Sequence, residues 1–131
     1  MVIVTYDPSV SNEMWLMRDD FPELAAMDAA IFPPPLQVAA WLGGDVTITP
    51  VPIPRDTPDW HLGSFWAHPE RVLDRAARDA RSSFARARPE VVERVVRDVA
   101  RDLTDGAWDA RYGALRALDA DDGGLRLIVA R

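Results

Sequence analysis

Apolar positions along this chain follow two periods, one of strands and one of helices. Val2, Ile3 and Val4 form a β-branched run closed by Thr5, Tyr6, Asp7 and Pro8. Such a run predicts a strand over 1–6 buried on both faces, as inside a parallel sheet. A strand of that kind needs neighbours on both sides, so the chain is expected to begin in the middle of a fold. Asp7-Pro8-Ser9 is a turn signal. A short helix is predicted over 13–21, a second from Pro22 to Ala30, and a third from Leu36 to Leu42, the last stopped by Gly43-Gly44. Residues 45–51 alternate apolar and polar, the period of a strand with one face buried or of an edge strand. Pro50, Pro52 and Pro54 end it, because proline cannot donate to a ladder.

Helical spacing returns over 69–84, opened by Pro69-Glu70, with Val72, Leu73, Ala76, Ala77, Ala80 and Phe84 on one side. A further helix opens at Pro89-Glu90 and turns Val91, Val92, Val95, Val96, Val99 and Leu103 inward. Trp108, Arg111, Tyr112, Leu115 and Leu118 fit one more helix. A turn at Asp121–Gly124 leads to a last apolar strand over 125–130. The elements run strand 1–6, helices 12–42, strand 45–51, helices 69–118, strand 125–130. No hairpin turn joins the strands. This is an α/β pattern: a three-stranded mixed sheet flanked by helices, in one domain over 1–131.

Composition narrows the function. The chain has 131 residues, 48% apolar and 27% charged, enough for a real core. No apolar run reaches the length of a membrane span, and no signal peptide is visible. The absence of cysteine fits a reducing compartment, so the cytoplasm is expected. The net charge is −6 and the fifteen basic residues are spread along helices, which disfavours nucleic acid as a partner.

Several ordered segments carry a further signal. Val2-Ile3-Val4-Thr5-Tyr6-Asp7-Pro8 opens the chain. Val51-Pro52-Ile53-Pro54-Arg55-Asp56 follows, then Asp59-Trp60-His61 and Phe65-Trp66-Ala67-His68-Pro69-Glu70-Arg71-Val72-Leu73. Ser82-Ser83-Phe84-Ala85, Asp102-Leu103-Thr104-Asp105-Gly106-Ala107-Trp108-Asp109-Ala110-Arg111-Tyr112-Gly113 and Gly124-Leu125-Arg126-Leu127-Ile128-Val129 complete the set. In this order they resemble the C-terminal half of a class I S-adenosylmethionine-dependent methyltransferase acting on small molecules. The resemblance implies the last three strands of a Rossmann-like fold, with the final strand antiparallel between the other two. It makes 12–42 a lid over the substrate.

The resemblance also marks what is missing. In that family a glycine-rich loop after the first strand and an acidic residue after the second hold the cofactor. Here no such loop follows a strand, and the glycine pairs at 43–44 and 123–124 lie in turns. The family also usually has glycine where Trp60 stands. S-adenosylmethionine is therefore the family's cofactor, but no cofactor-binding residue is expected in this chain alone. The expectation is a substrate-binding half, inactive by itself. The open edge of the first strand would pair with a second copy or with a separate cofactor half.

Among candidate site residues, His61 suits a proton acceptor in catalysis. Trp15, Trp41, Trp60, Phe65, Trp66 and Arg78 are candidates for binding a small-molecule substrate. Met14 joins the lid group, and Ser82 and Ser83 join Arg78. The plainer reading is that these aromatics fill or cap the core and that Arg78 lies on a solvated helix face. Asp7, at the strand's end, either meets a ligand or caps a turn. His61 and His68 lack an evident third ligand, so no metal site is expected. Three other functions share this pattern: a stand-alone small-molecule binder, a cofactor-free natural-product enzyme such as a cyclase, and a structural subunit completing another protein.

Overall fold

The computed structural model describes residues 1–58 and 60–131. Its main sheet contains β1 (Val2–Tyr6), β2 (Val46–Pro50) and β5 (Leu125–Ala130), in the order β1-β5-β2. The last strand sits between the other two, as expected. Because β1 and β2 never touch, both ladders are antiparallel, and the sheet is antiparallel rather than mixed. A second ladder joins two short strands, β3 (Ile53–Pro54) and β4 (Ala120–Asp121). Two-residue strands carry no period, so the sequence does not announce them.

The register explains which face is buried. Ile3, Ile128 and Ile48 stand opposite one another and share a face. Ile128 is fully buried, and α3 (Pro35–Leu42) packs across β2 and β5 with Val38 inward. The other face stays open. Val2 and Val4 are each 64% exposed, and Thr47 and Thr49 are exposed beside them. The expectation of a first strand buried on both faces is therefore corrected. An all-apolar run signals a two-faced strand only where helices cover both faces, and the described residues cover one.

Asp7 caps α1 (Pro8–Ser11): its side chain accepts from the Ser9 backbone N–H at 3.1 Å. Trp15 leads into a wide helical turn, Leu16–Asp20, in place of a regular helix. That turn buries Leu16 and Met17 together. Next come α2 (Pro22–Ile31) and α3, which ends in Gly43 at positive φ.

The single helix expected over 69–84 is three: α4 (Glu70–Leu73), α5 (Arg75–Asp79) and α6 (Ser82–Arg86). Asp74 causes the first break. Its carboxylate accepts from the Ala76 and Ala77 N–H groups, which holds its own backbone extended and starts a new helix. The long amphipathic α7 (Pro89–Thr104) buries Val95 and Val99. After it, α8 (Ala107–Tyr112) buries Trp108, and a 3-10 turn at Gly113–Ala117 continues the path.

The core forms where these helices meet. Trp15, Leu16, Phe21, Leu24, Phe65 and Trp108 lie at its centre, each at most 2% exposed. The Trp15 indole N–H donates to the Trp66 carbonyl at 2.9 Å, and its ring meets Trp108 edge-on at 5.5 Å. Arg94 ties α7 to α2 through a paired contact with Glu23 at 2.6 and 2.7 Å. Among the described residues no helix is long and apolar enough to cross a membrane.

Candidate functional site

A cleft of about 260 Å3 opens at the C-terminal end of β1. Six segments converge on it, the turn before β5 contributing Gly123. β1 contributes Tyr6, and the stretch after it contributes Ser11, Met14 and Met17. From α2 and its exit come Leu24, Asp28 and Phe32. His61, Leu62 and Gly63 come from the loop before α4, and Arg81, Ser82, Ser83 and Arg86 from the α5–α6 corner. The mixture of an apolar wall with a few converging polar groups is typical of a small-molecule site.

Two features give the cleft its chemistry. The Tyr6 hydroxyl lies 2.9 Å from His61 Nδ1. Burial, and then the negative charge of Asp28, push the Tyr6 phenol up to about 12. It stays protonated at neutral pH, so Tyr6 orients the imidazole by hydrogen bonding rather than acting as a base. The Phe32 ring meets Tyr6 edge-on at 5.9 Å and fixes its plane. Burial also raises the carboxyl of Asp28, and Arg86 partly offsets this. The second feature is the pair Arg81 and Arg86, neither of which has a carboxylate within ion-pair distance among the described residues.

Of the residues expected from sequence, His61 lies on this cleft, and Met14, Ser82 and Ser83 line it too. The others lie elsewhere. Trp15, Phe65 and Trp66 are core residues, at 2%, 0% and 1% exposure. Trp41 is 67% exposed on the outer side of α3. Trp60 packs beside the core, with the Arg71 guanidinium 3.9 Å above its ring and the His68 ring at 4.7 Å. Arg78 donates to the Val72 carbonyl at 2.6 Å and borders a separate depression with Arg75, Asp79 and Phe84. The four tryptophans therefore frame no common pocket. Asp59 of the quoted motif lies outside the described residues. His68 is held by the Arg55 carbonyl at 2.8 Å and by Asp56 at 3.3 Å.

Tyr6, Asp28, Arg81 and Arg86 are the cleft residues that sequence reasoning missed. Tyr6 had one signal available: it is the polar residue that ends an apolar strand, where α/β folds place ligands.

The fold superposes on the crystal structure of a candidate methyltransferase from an antibiotic biosynthesis pathway in Anabaena variabilis. The TM-score is 0.88 and the identity 32%, over 97% of this chain and 52% of that one. The fold is methyltransferase-like. The chain spans about half the length of that protein. No family model matches the chain, and no curated protein does.

A methyltransferase-like fold implies a cofactor, and the turn that leads into the cleft can be tested for one. The Asp7 N–H is bonded to the Gly124 carbonyl at 2.8 Å, and Pro8 has no N–H. The backbone groups of this turn are thus occupied or lacking, and the turn is no cradle for S-adenosylmethionine. This turn does not fit that cofactor.

Proposed function

We propose that this chain is the substrate-binding half of a small-molecule methyltransferase that draws its methyl group from S-adenosylmethionine. The observation that carries this reading is the position of the cleft. It opens where β1 ends, in a fold that matches half of a candidate methyltransferase over nearly its whole length. The cofactor-binding half lies outside these residues, on the same or another polypeptide. His61, oriented by Tyr6, takes the proton from the substrate group that becomes methylated. The apolar wall excludes water from the reaction. By itself the chain transfers no methyl group.

The test is calorimetric. The 131-residue chain is titrated with S-adenosylmethionine alone, and again after being joined to the complementary half of the Anabaena protein. Binding is expected only after joining. Micromolar affinity in the chain alone overturns the division of labour. Failure to bind the cofactor after joining favours a stand-alone binder, a cofactor-free enzyme or a structural subunit instead.

A further inference from the structure

The α5–α6 corner of the cleft points to the chemical class of the molecule it holds; this rests on the cleft being the substrate site. Among the described residues nine of the fifteen arginines have a carboxylate within ion-pair distance. Arg18, Arg55, Arg94, Arg101, Arg116 and Arg126 each sit within ion-pair distance of a carboxylate. Arg81 does not. Its Nε is buried and has no hydrogen-bond partner among the described residues. On the same cleft the Ser11 hydroxyl is buried, with Ser11 only 7% exposed, and it too lacks a partner. Buried donors without acceptors are costly. Ser11 and Arg81 both line the cleft, where an arriving ligand can supply an acceptor.

The charge balance agrees. Arg81 and Arg86 bring two positive charges to the cleft, and Asp28 brings one carboxyl, which the field of Arg86 reaches. The wall therefore carries a positive excess in a chain whose net charge is −6. Met14, Met17, Phe32 and Leu62 supply apolar surface for the rest of the molecule. A cleft of about 260 Å3 lies just below the range for drug-sized ligands, which limits the occupant to about one ring with small substituents. We propose that the cleft selects a small carboxylate, its anionic group seated on Arg81 and its apolar body against the methionines and Phe32.

The probes are 4-hydroxybenzoate and its neutral amide, titrated into the chain by ligand-observed NMR. The acid is expected to bind at least about tenfold more tightly than the amide, the margin of a charge-assisted hydrogen bond over a neutral one. Arg81→Gln should erase that margin by weakening the acid and leaving the amide unchanged. Arg111→Gln, at an exposed position of α8, controls for net charge and should change neither. The acid–amide comparison needs no variant, so it decides even where Arg81→Gln fails to fold. Equal binding of the two probes, no binding of either, or equal losses in the two variants overturns the proposal. Binding is read without methyl transfer. A chain that selects the acid but methylates nothing once joined to a cofactor half refutes the methyltransferase reading alone. Methylation of a neutral phenol, independent of Arg81, refutes only the carboxylate.

Discussion

Gly124 shows how one residue sets the approach of β5 to the turn after β1. Its φ of +85° is a conformation that side chains resist. A Cβ there would lie 2.7 Å from the Ser11 nitrogen and 2.9 Å from the Asp7 carbonyl oxygen, both backbone atoms that cannot swing aside. Gly124→Ala should therefore destabilise the chain by about 3 kcal/mol, the sum of backbone strain and overpacking, read as a shift in denaturant midpoint. A loss below about 1 kcal/mol would show that α1 can slide away from β5. Tyr6→Phe is the milder residue-scale probe. It removes only the hydroxyl that meets His61 Nδ1 and should cost about 0.5–1.5 kcal/mol. Under the proposed function it also loosens the imidazole, so kcat of the joined enzyme should fall more than KM changes. Equal kcat in the two proteins would remove Tyr6 from the mechanism. At this scale the sequence was only partly legible. A histidine between aromatics stood out. Tyr6, Asp28, Arg81 and Arg86 did not, because three separate segments bring them together. The tryptophans drew attention for their size, and large aromatics most often signal burial, as Trp15 and Trp66 show.

Among elements, legibility followed length. The sixteen residues of α7 carry an unbroken apolar stripe, and the predicted start at Pro89 holds. The pieces from Glu70 to Arg86 read as one helix because their apolar spacing is continuous, while the break comes from a side chain, Asp74, bonding its own backbone. Local hydrogen bonding of that kind is invisible to periodicity. The wide turn at Leu16–Asp20 carries a further consequence. It holds Asp20 half-buried near Asp102, Asp19 and Asp98. Burial first, and then those three carboxylates, raise the Asp20 carboxyl to about 6 from its ordinary 3.8. The folded state therefore binds this proton more tightly than the unfolded chain does. Stability from this group is fully present below pH 3.8 and is lost as pH rises through about 6. Asp20→Asn removes the penalty. It should raise stability at pH 7.5 by on the order of 1 kcal/mol, once solvent screening of a half-buried carboxyl is allowed for. The gain should vanish at pH 3.5. Paired melting curves at the two pH values check this, and an unchanged gain at both would mean that packing, not charge, is responsible.

For the molecule as a whole, strand order was legible because the ordered motifs resembled a known arrangement, and β5 does lie between β1 and β2. The state of the sheet's surface was not, since an apolar strand looks the same whether or not a neighbour covers it. In the described residues β1 has a partner on one side only. Its free edge carries unpaired backbone groups, and Val2 and Val4 expose their side chains beside it. Proteins ordinarily blunt such an edge with charge, proline or a covering element. Here the strand itself carries neither charge nor proline. We propose that an edge left in this state pairs with the proposed cofactor half, the occupant that would also complete the enzyme. Substituting Val2→Lys and Val4→Lys together places charge on the edge at little cost to folding, about 0.5 kcal/mol or less per exposed site. Sedimentation should show the parent chain associating with the complementary half, or with its own copy as the half is withdrawn. The doubly substituted chain should stay monomeric with an unshifted melting midpoint. If parent and variant sediment alike as monomers at high concentration, and neither captures the complementary half, the edge of β1 is not the joint. The two halves would then have to meet across the open sheet face instead, where Thr47 and Thr49 stand exposed.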